Sequence, residues 1–250
     1  MANFHLEIST VSRNAKHGKK SVTRLASYIS GRRLYDSYGK KWYSHDRNDV
    51  ALCNIYVPQD APADFRDLQT LCNRIEEAES RKDARTAREF KASLPNELPY
   101  YELVRIVEEF VETNFMRLPV VAAIHKGINI NAPERNNPHV HIIVPTRTVG
   151  ADGFSKKKFT PLNAREYIKI WRCRWADAQN RAYERCGLDV RVSHKSLKDQ
   201  NKEREPVKYI SHLEYIRDRD KITAEREAAK EARAYGREQP RSVPEIQRER

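Results

Sequence analysis

The sequence predicts an α+β domain: a central, mainly antiparallel β-sheet flanked by helices, followed by a charged C-terminal tail that is helical or disordered. Three observations predict this. Apolar residues recur with period two in some segments and at i, i+3, i+4, i+7 in others, giving the order β-α-β-α-β-α-β-β-α-β. Two apolar runs, Val120–His125 and His139–Val144, stand close enough in sequence to pair antiparallel across one loop. Beyond Ile216 almost every residue is charged, alanine or glutamine, which cannot supply a core. The predicted division is a folded domain over residues 1–205 and a tail over 206–250.

Each element has its own signal. Phe4, Leu6 and Ile8 alternate with His5, Glu7 and Ser9, so the chain opens on a half-buried strand. After a basic loop from Arg13 to Lys20, Ser21 is the predicted N-cap of a helix carrying Val22, Leu25, Ala26 and Ile29, with Gly31 as its stop. Val50 to Val57 reads as a buried strand ended by Pro58. Phe65, Leu68, Leu71, Cys72 and Ile75 predict a helix running on to about Asp83. Phe90, Ala92 and Leu94 alternate with Glu89, Lys91 and Ser93, which makes Ala87 to Leu94 a strand before Pro95. Leu103, Ile106, Val107, Phe110 and Val111 mark an amphipathic helix. Past the two central strands, a turn at Gly150 to Gly153 leads to Lys156, Lys157 and Lys158, set between Phe154 and Phe159. Ile168, Trp171, Trp175, Ala178 and Ala182 define a long helix closed by Gly187, and Leu188 to Val192 reads as a last short strand.

Composition narrows the function. The 250 residues carry a formal net charge of +12, with 39% hydrophobic and 33% charged residues, a balance that suits a polyanionic partner. No window approaches the roughly 18 consecutive apolar residues of a spanning helix, and the N-terminus lacks the basic-then-apolar layout of a signal peptide. Membrane insertion and secretion are therefore not expected. Cys53, Cys72, Cys173 and Cys186 form no CxxC pair, so buried thiols in a reducing compartment are expected.

The chemistry centres on Asn137-Pro138-His139-Val140-His141. On a strand, His139 and His141 project from one face while Val140, Ile142 and Val144 face a core. His125 shares a face with Val121 and Ala123, and across a hairpin it comes within about 5–8 Å of the pair. Three convergent imidazoles suit a divalent ion such as zinc or manganese and leave positions open for phosphate oxygens. HIT-type nucleotide hydrolases use a His-x-His-x-His run, but this chain has Ile143 at the third position. Among nucleophile candidates Tyr28 stands out, about 110° round its helix from the apolar stripe and flanked by Arg24, Arg32 and Arg33. From the residues alone it also reads as a tyrosine packed at a helix edge, with Tyr35, Tyr38 and Tyr43 as rivals.

The ordered combination of these pieces resembles the MobA/MobL (MobQ-type) relaxases, HUH endonucleases that nick plasmid DNA. The resemblance spans most of residues 1 to 206. It rests on Phe4-His5-Leu6, Ala26-Ser27-Tyr28-Ile29-Ser30-Gly31, Ala87-Arg88-Glu89-Phe90, Leu94-Pro95-Asn96-Glu97, Ile124-His125-Lys126, the His139/His141 motif, Trp171-Arg172 with Arg174-Trp175, and Val190-Arg191-Val192-Ser193. Two features depart from the family pattern: Ile29 replaces the usual Arg after the tyrosine, and the loop between His125 and His139 is longer. The resemblance implies an HUH palm over residues 1–205, with Tyr28 as the nucleophile and His125, His139 and His141 holding a divalent metal ion. Magnesium or manganese would be in use, with zinc or nickel as alternatives. Glu89 matches a family acidic residue that orients a histidine. It implies transesterification at a plasmid origin of transfer through a 5′-phosphotyrosine. Arg24, Arg32, Arg33, Lys156, Lys157 and Lys158 are expected to touch DNA, and Phe154 and Phe159 to stack on it. The expected partners are single-stranded or supercoiled origin-of-transfer DNA, a relaxosome accessory protein and a type IV secretion coupling protein. A monomer in the bacterial cytoplasm, exported while attached to DNA, completes the expectation. The competing readings are an HUH replication initiator or transposase, and a non-catalytic basic nucleic-acid-binding protein.

Overall fold

Period-two alternation becomes one five-stranded, wholly antiparallel sheet in the computed structural model of the chain. The structure describes residues 4–14, 21–128 and 136–200, together with Lys221, Ala224 and Ala228. The tail expected over 206–250 otherwise lies outside the described residues, as does most of the basic loop before Ser21. The chain divides into a unit over Met1–Ser196 and a second over Leu197–Arg250; the sheet, its helices and the site belong to the first.

In chain order the elements are β1 (Leu6–Ser12), α1 (Val22–Ser30), the short strands β2 (Leu34–Asp36) and β3 (Lys41–Tyr43), then β4 (Val50–Tyr56) and α2 (Leu68–Glu77). They continue with β5 (Arg85–Ser93), α3 (Tyr100–Phe115), β6 (Val120–His125), β7 (His139–Pro145), the hairpin β8 (Arg147–Gly150) and β9 (Gly153–Lys158), and α4 (Arg165–Arg185). The sheet runs β1-β5-β7-β6-β4, so β7, with both motif histidines, is its central strand. Alternation gives the sheet two faces. Phe90, Ala92, Val120, Ala122, Ile124, Val140, Ile142 and Val144 pack under α3 and α4. Phe90 is fully buried there, its ring 5.1–6.2 Å from those of Phe110, Phe115 and Trp171. The opposite face sets Ala87, Val121, Ala123 and Ile143 against α1 and α2. No described helix is long and apolar enough to cross a membrane.

Helix α1 is anchored at both ends. Ser21 caps its N-terminus by accepting from the Arg24 amide at 3.3 Å, and the buried Glu76 of α2 accepts from the Val22 amide at 2.9 Å. Gly31 ends it in the left-handed conformation at φ 69°, with its amide bonded to the Ser27 carbonyl. A side chain at Gly31 would meet the Arg47 carbonyl at 3.2 Å, so glycine also lets the 44–49 segment close on the helix end.

Four expectations are corrected. The helix predicted to run from Phe65 to about Asp83 breaks: Phe65 lies in a 3-10 turn, Asp67 caps α2 afresh, and α2 stops at Glu77. It stops because Arg13 takes the carbonyls of Glu76, Glu79 and Arg81. Val50–Tyr56 is a sheet-edge strand, half-buried at every position and not the buried strand expected. Leu188–Val192 forms no strand, because the Asn180 side chain satisfies both the amide and the carbonyl of Val192. All four cysteines are free, but only Cys72 is buried, since Cys53 sits on the sheet edge and Cys173 and Cys186 lie on the outer side of α4 and at its end.

Phe90→Ala is expected to cost about 3–5 kcal/mol, as for large aromatic truncations in close-packed cores. Urea denaturation measures this, and a loss under about 1 kcal/mol would show that α3 and α4 do not depend on that ring.

Candidate active site

The same alternation that buries Val121, Ala123 and Ile143 turns His125, His139, His141 and Glu89 toward α1. His125 and His139 are direct cross-strand partners, and His141 follows two residues on. The three imidazole centroids stand 4.9, 5.1 and 5.2 Å apart, and one nitrogen of each lies within 4.8 Å of the others.

Each ring is held by its other nitrogen. His125 Nε2 donates to the Ile29 carbonyl at 2.8 Å, and His139 Nδ1 donates to the Asn137 carbonyl at 2.8 Å. His141 Nδ1 meets the buried Glu89 carboxylate at 2.6 Å, and Ser9 donates to the second oxygen of Glu89 at 3.3 Å. Carbonyl and ionised carboxylate oxygens only accept, so these nitrogens carry the protons and the remaining ones keep lone pairs. Burial lowers His125 to about 4 and also lowers His139, so both rings are neutral near pH 7, the form that binds metals. His125 Nδ1 is buried with no hydrogen-bond partner, a costly state that a bound cation relieves. Three imidazoles, each backed by an oxygen acceptor, fit a divalent ion with positions left open. That donor set favours manganese, zinc or nickel over magnesium.

Tyr28 stands beside this cluster, 41% exposed. Its ring meets His141 edge-on at 6.1 Å and His45 edge-on at 5.6 Å. The Arg47 guanidinium lies 4.5 Å from its ring centre, pinned by bonds of 2.8 and 2.6 Å to Asp49. His45 is fixed through Nδ1 to Ser27 Oγ at 3.1 Å, and Ser27 donates to the Arg32 carbonyl. Arg24, Tyr28, His45, Glu89, Lys91 and His141 line a cavity of about 400 Å³.

Arg47 and His45 went unread in the sequence. The polar run Ser44 to Asp49 has no periodicity, and its place follows only from the pairing of Val50 with His125. Of the expected DNA contacts, Arg24 lines the cavity, and Arg32 and Arg33 are exposed just past α1. Lys156, Lys157 and Lys158 are not brought to the histidines. Their hairpin follows the other end of β7, and four strand steps alone separate His141 from Pro145 by about 13 Å. Lys158 is paired with Glu79 at 3.1 Å, Phe154 packs on Phe65 at 5.1 Å, and Phe159 packs against the core. Both rings are partly buried against the fold.

The loop between His125 and His139 closes at its base. The Gly127 carbonyl accepts from the Asn137 amide at 2.8 Å, and a Cβ at Gly127 (φ 54°) would lie 2.0 Å from the Asn137 oxygen.

A family model described as the MobA/MobL family matches residues 20–213, most of the chain. The chain belongs to the MobA/MobL family. It is 27% identical over 252 residues to the probable mobilization protein MobA of Bifidobacterium longum, covering 83% of this chain and 43% of that protein. It is 29% identical over 228 residues to mobilization protein A of Escherichia coli, covering 82% of this chain and 29% of that one. The chain thus spans less than half the length of these MobA/MobL relatives. A chain solved in "Molecular Basis of Vancomycin Resistance Transfer in Staphylococcus aureus" superposes with a TM-score of 0.69 at 27% identity, covering 78% of this chain and all of that one.

Replacing Glu89 by Ala is expected to weaken Mn²⁺ binding about 10–100-fold, with Glu89→Gln falling between it and the parent. Calorimetric titration measures this on folded protein; equal affinities would mean that the carboxylate does not orient His141.

Proposed function

We propose that this MobA/MobL chain is a relaxase domain that nicks and rejoins one DNA strand at a plasmid origin of transfer, through a covalent 5′-phosphotyrosine on Tyr28. The observation that carries the reading is the meeting of an exposed tyrosine with the imidazole triad, its ring 6.1 Å from that of the buried His141. The mobilization relatives support the plasmid-transfer part.

Tyr28 Oη forms a bond to the scissile phosphorus as the bond to the 3′-oxygen breaks. The phenolic proton passes to water, and the departing oxygen takes up a proton to become a 3′-hydroxyl. The same 3′-hydroxyl can later attack the phosphotyrosine and release Tyr28, so no nucleotide cofactor is needed for rejoining. A divalent cation held by His125, His139 and His141, manganese, zinc or nickel by the chemistry of the donor set, would supply Lewis-acid polarisation of the phosphate when bound. Glu89 keeps His141 in the ligating tautomer. Arg47 places a fixed positive charge beside the attacking ring, and Arg24, Arg32 and Arg33 hold flanking phosphates. In this reading the nicking domain ends near residue 205. The tail from 206, an accessory protein and a secretion coupling protein act outside the chemistry. The protein works in the bacterial cytoplasm and leaves attached to DNA.

With single-stranded origin DNA and Mn²⁺, the protein is expected to form an SDS-resistant adduct that Tyr28→Phe abolishes. An adduct surviving in that variant would move the nucleophile elsewhere. Cleavage is expected to stop in EDTA and in the His139→Ala/His141→Ala double variant; undiminished cleavage in either would remove the metal from the mechanism.

A further inference from the structure

The short ribbon β2–β3 is held firmly on one side and bare on the other. On the inner side Leu34 is buried in the core. The buried Asp36 accepts from Ser21 Oγ at 2.6 Å and from the Gly39 amide at 2.8 Å. Gln69 of α2 accepts from the Tyr35 amide at 2.7 Å and donates to its carbonyl at 2.6 Å, and Asn73 accepts from the Ser37 amide at 3.1 Å. Three residues per strand could not stay paired alone in water; these side chains hold them.

The outer side carries a different chemistry. Tyr35 pairs with Trp42, their rings 5.2 Å apart, and the Arg33 guanidinium lies 4.5 Å from the Trp42 ring centre. Trp42 is 53% exposed and Tyr38, at the turn, 52%. The other two tryptophans, Trp171 and Trp175, are at most 2% exposed. Between residues 31 and 45 the exposed charges are all positive, from Arg32, Arg33, Lys40 and Lys41, while the one acid, Asp36, is 2% exposed. The ribbon begins just past Gly31, at the end of the helix that carries Tyr28, and packs against that helix.

We propose that the outer face of this ribbon is a stacking platform for unpaired bases of a single nucleic-acid strand, formed by Trp42, Tyr35 and Arg33. Aromatic faces interleaved with cations suit a chain of phosphates and open π faces; duplex bases, stacked on one another, offer no such face. An apolar peptide would gain nothing from four cations that have no carboxylate partner among the described residues, and a backbone already held by Asp36, Gln69 and Asn73 loses little conformational freedom on binding. That the strand is DNA leading to Tyr28 rests on the nicking activity proposed above; the platform itself does not.

Trp42 is its own reporter. In EDTA, where no nicking occurs, a single-stranded oligothymidylate is expected to quench the tryptophan emission of the full chain, and a duplex of equal length is not. Trp42→Phe, which retains the two buried tryptophans, should show no quenching. Trp42→Ala should bind a labelled oligothymidylate about tenfold or more weakly while its circular dichroism is unchanged. Equal quenching by duplex, no quenching at all, or parent-like binding by Trp42→Ala overturns the platform, and quenching by an acidic peptide alone would assign the face to a protein partner. A Tyr28 adduct without quenching defeats only the platform, and quenching without an adduct defeats only the nicking activity.

Discussion

The hydrogen bond from His125 to the Ile29 carbonyl ties the two halves of the site together. The last carbonyls of any helix have no partner within it. At the end of α1 one of them is filled by an imidazole from β6. The bond puts the proton on Nε2 and leaves Nδ1 bearing the lone pair, buried and without a partner. It also fixes the backbone one residue beyond Tyr28 against the sheet. A single contact thus sets the tautomer of one ligand and the stance of the tyrosine. Glu89 and the Asn137 carbonyl complete the set, one acceptor for each ring.

The sheet divides its labour by face. Toward α3 and α4 it is apolar, and rings there interlock around Phe90. Toward α1 it buries imidazoles and a carboxylate among alanines and valines, which costs solvation and returns little stability. Such a polar layer is sustainable because the opposite face carries a full aromatic core. The antiparallel register then makes the arrangement stiff. His125 and His139 face each other on central strands, where slipping by one residue would send every histidine into the apolar side.

Much of this was legible in the sequence. Alternation alone put His139 and His141 on one face, and hairpin logic added His125. The family resemblance picked Tyr28 out among the tyrosines, and the structure sets that ring beside His141. What escaped reading lacks periodicity. Arg47 and His45 lie in an irregular polar run whose position depends on the pairing of β4 with β6. The β2–β3 ribbon is held by Gln69, Asn73 and Asp36, side chains distant in sequence or too common in turns to signal a strand. Helix α2 ends where Arg13, some sixty residues earlier, claims its carbonyls. Phe154 and Phe159 sat beside lysines and read as a binding surface, yet their partners Phe65 and the core are visible only once the chain is folded.

The closed base of the loop between His125 and His139 bears on how such a chain can vary. Gly127 and Asn137 clasp each other, and the Asn137 carbonyl in turn holds His139. Whatever is spliced between them, the clasp hands the same two strand ends to the sheet. Insertions or deletions there can accumulate without retuning the histidines, provided position 127 stays glycine. The segment is a graft point, insulated from the chemistry by one hydrogen bond from one amide to one carbonyl.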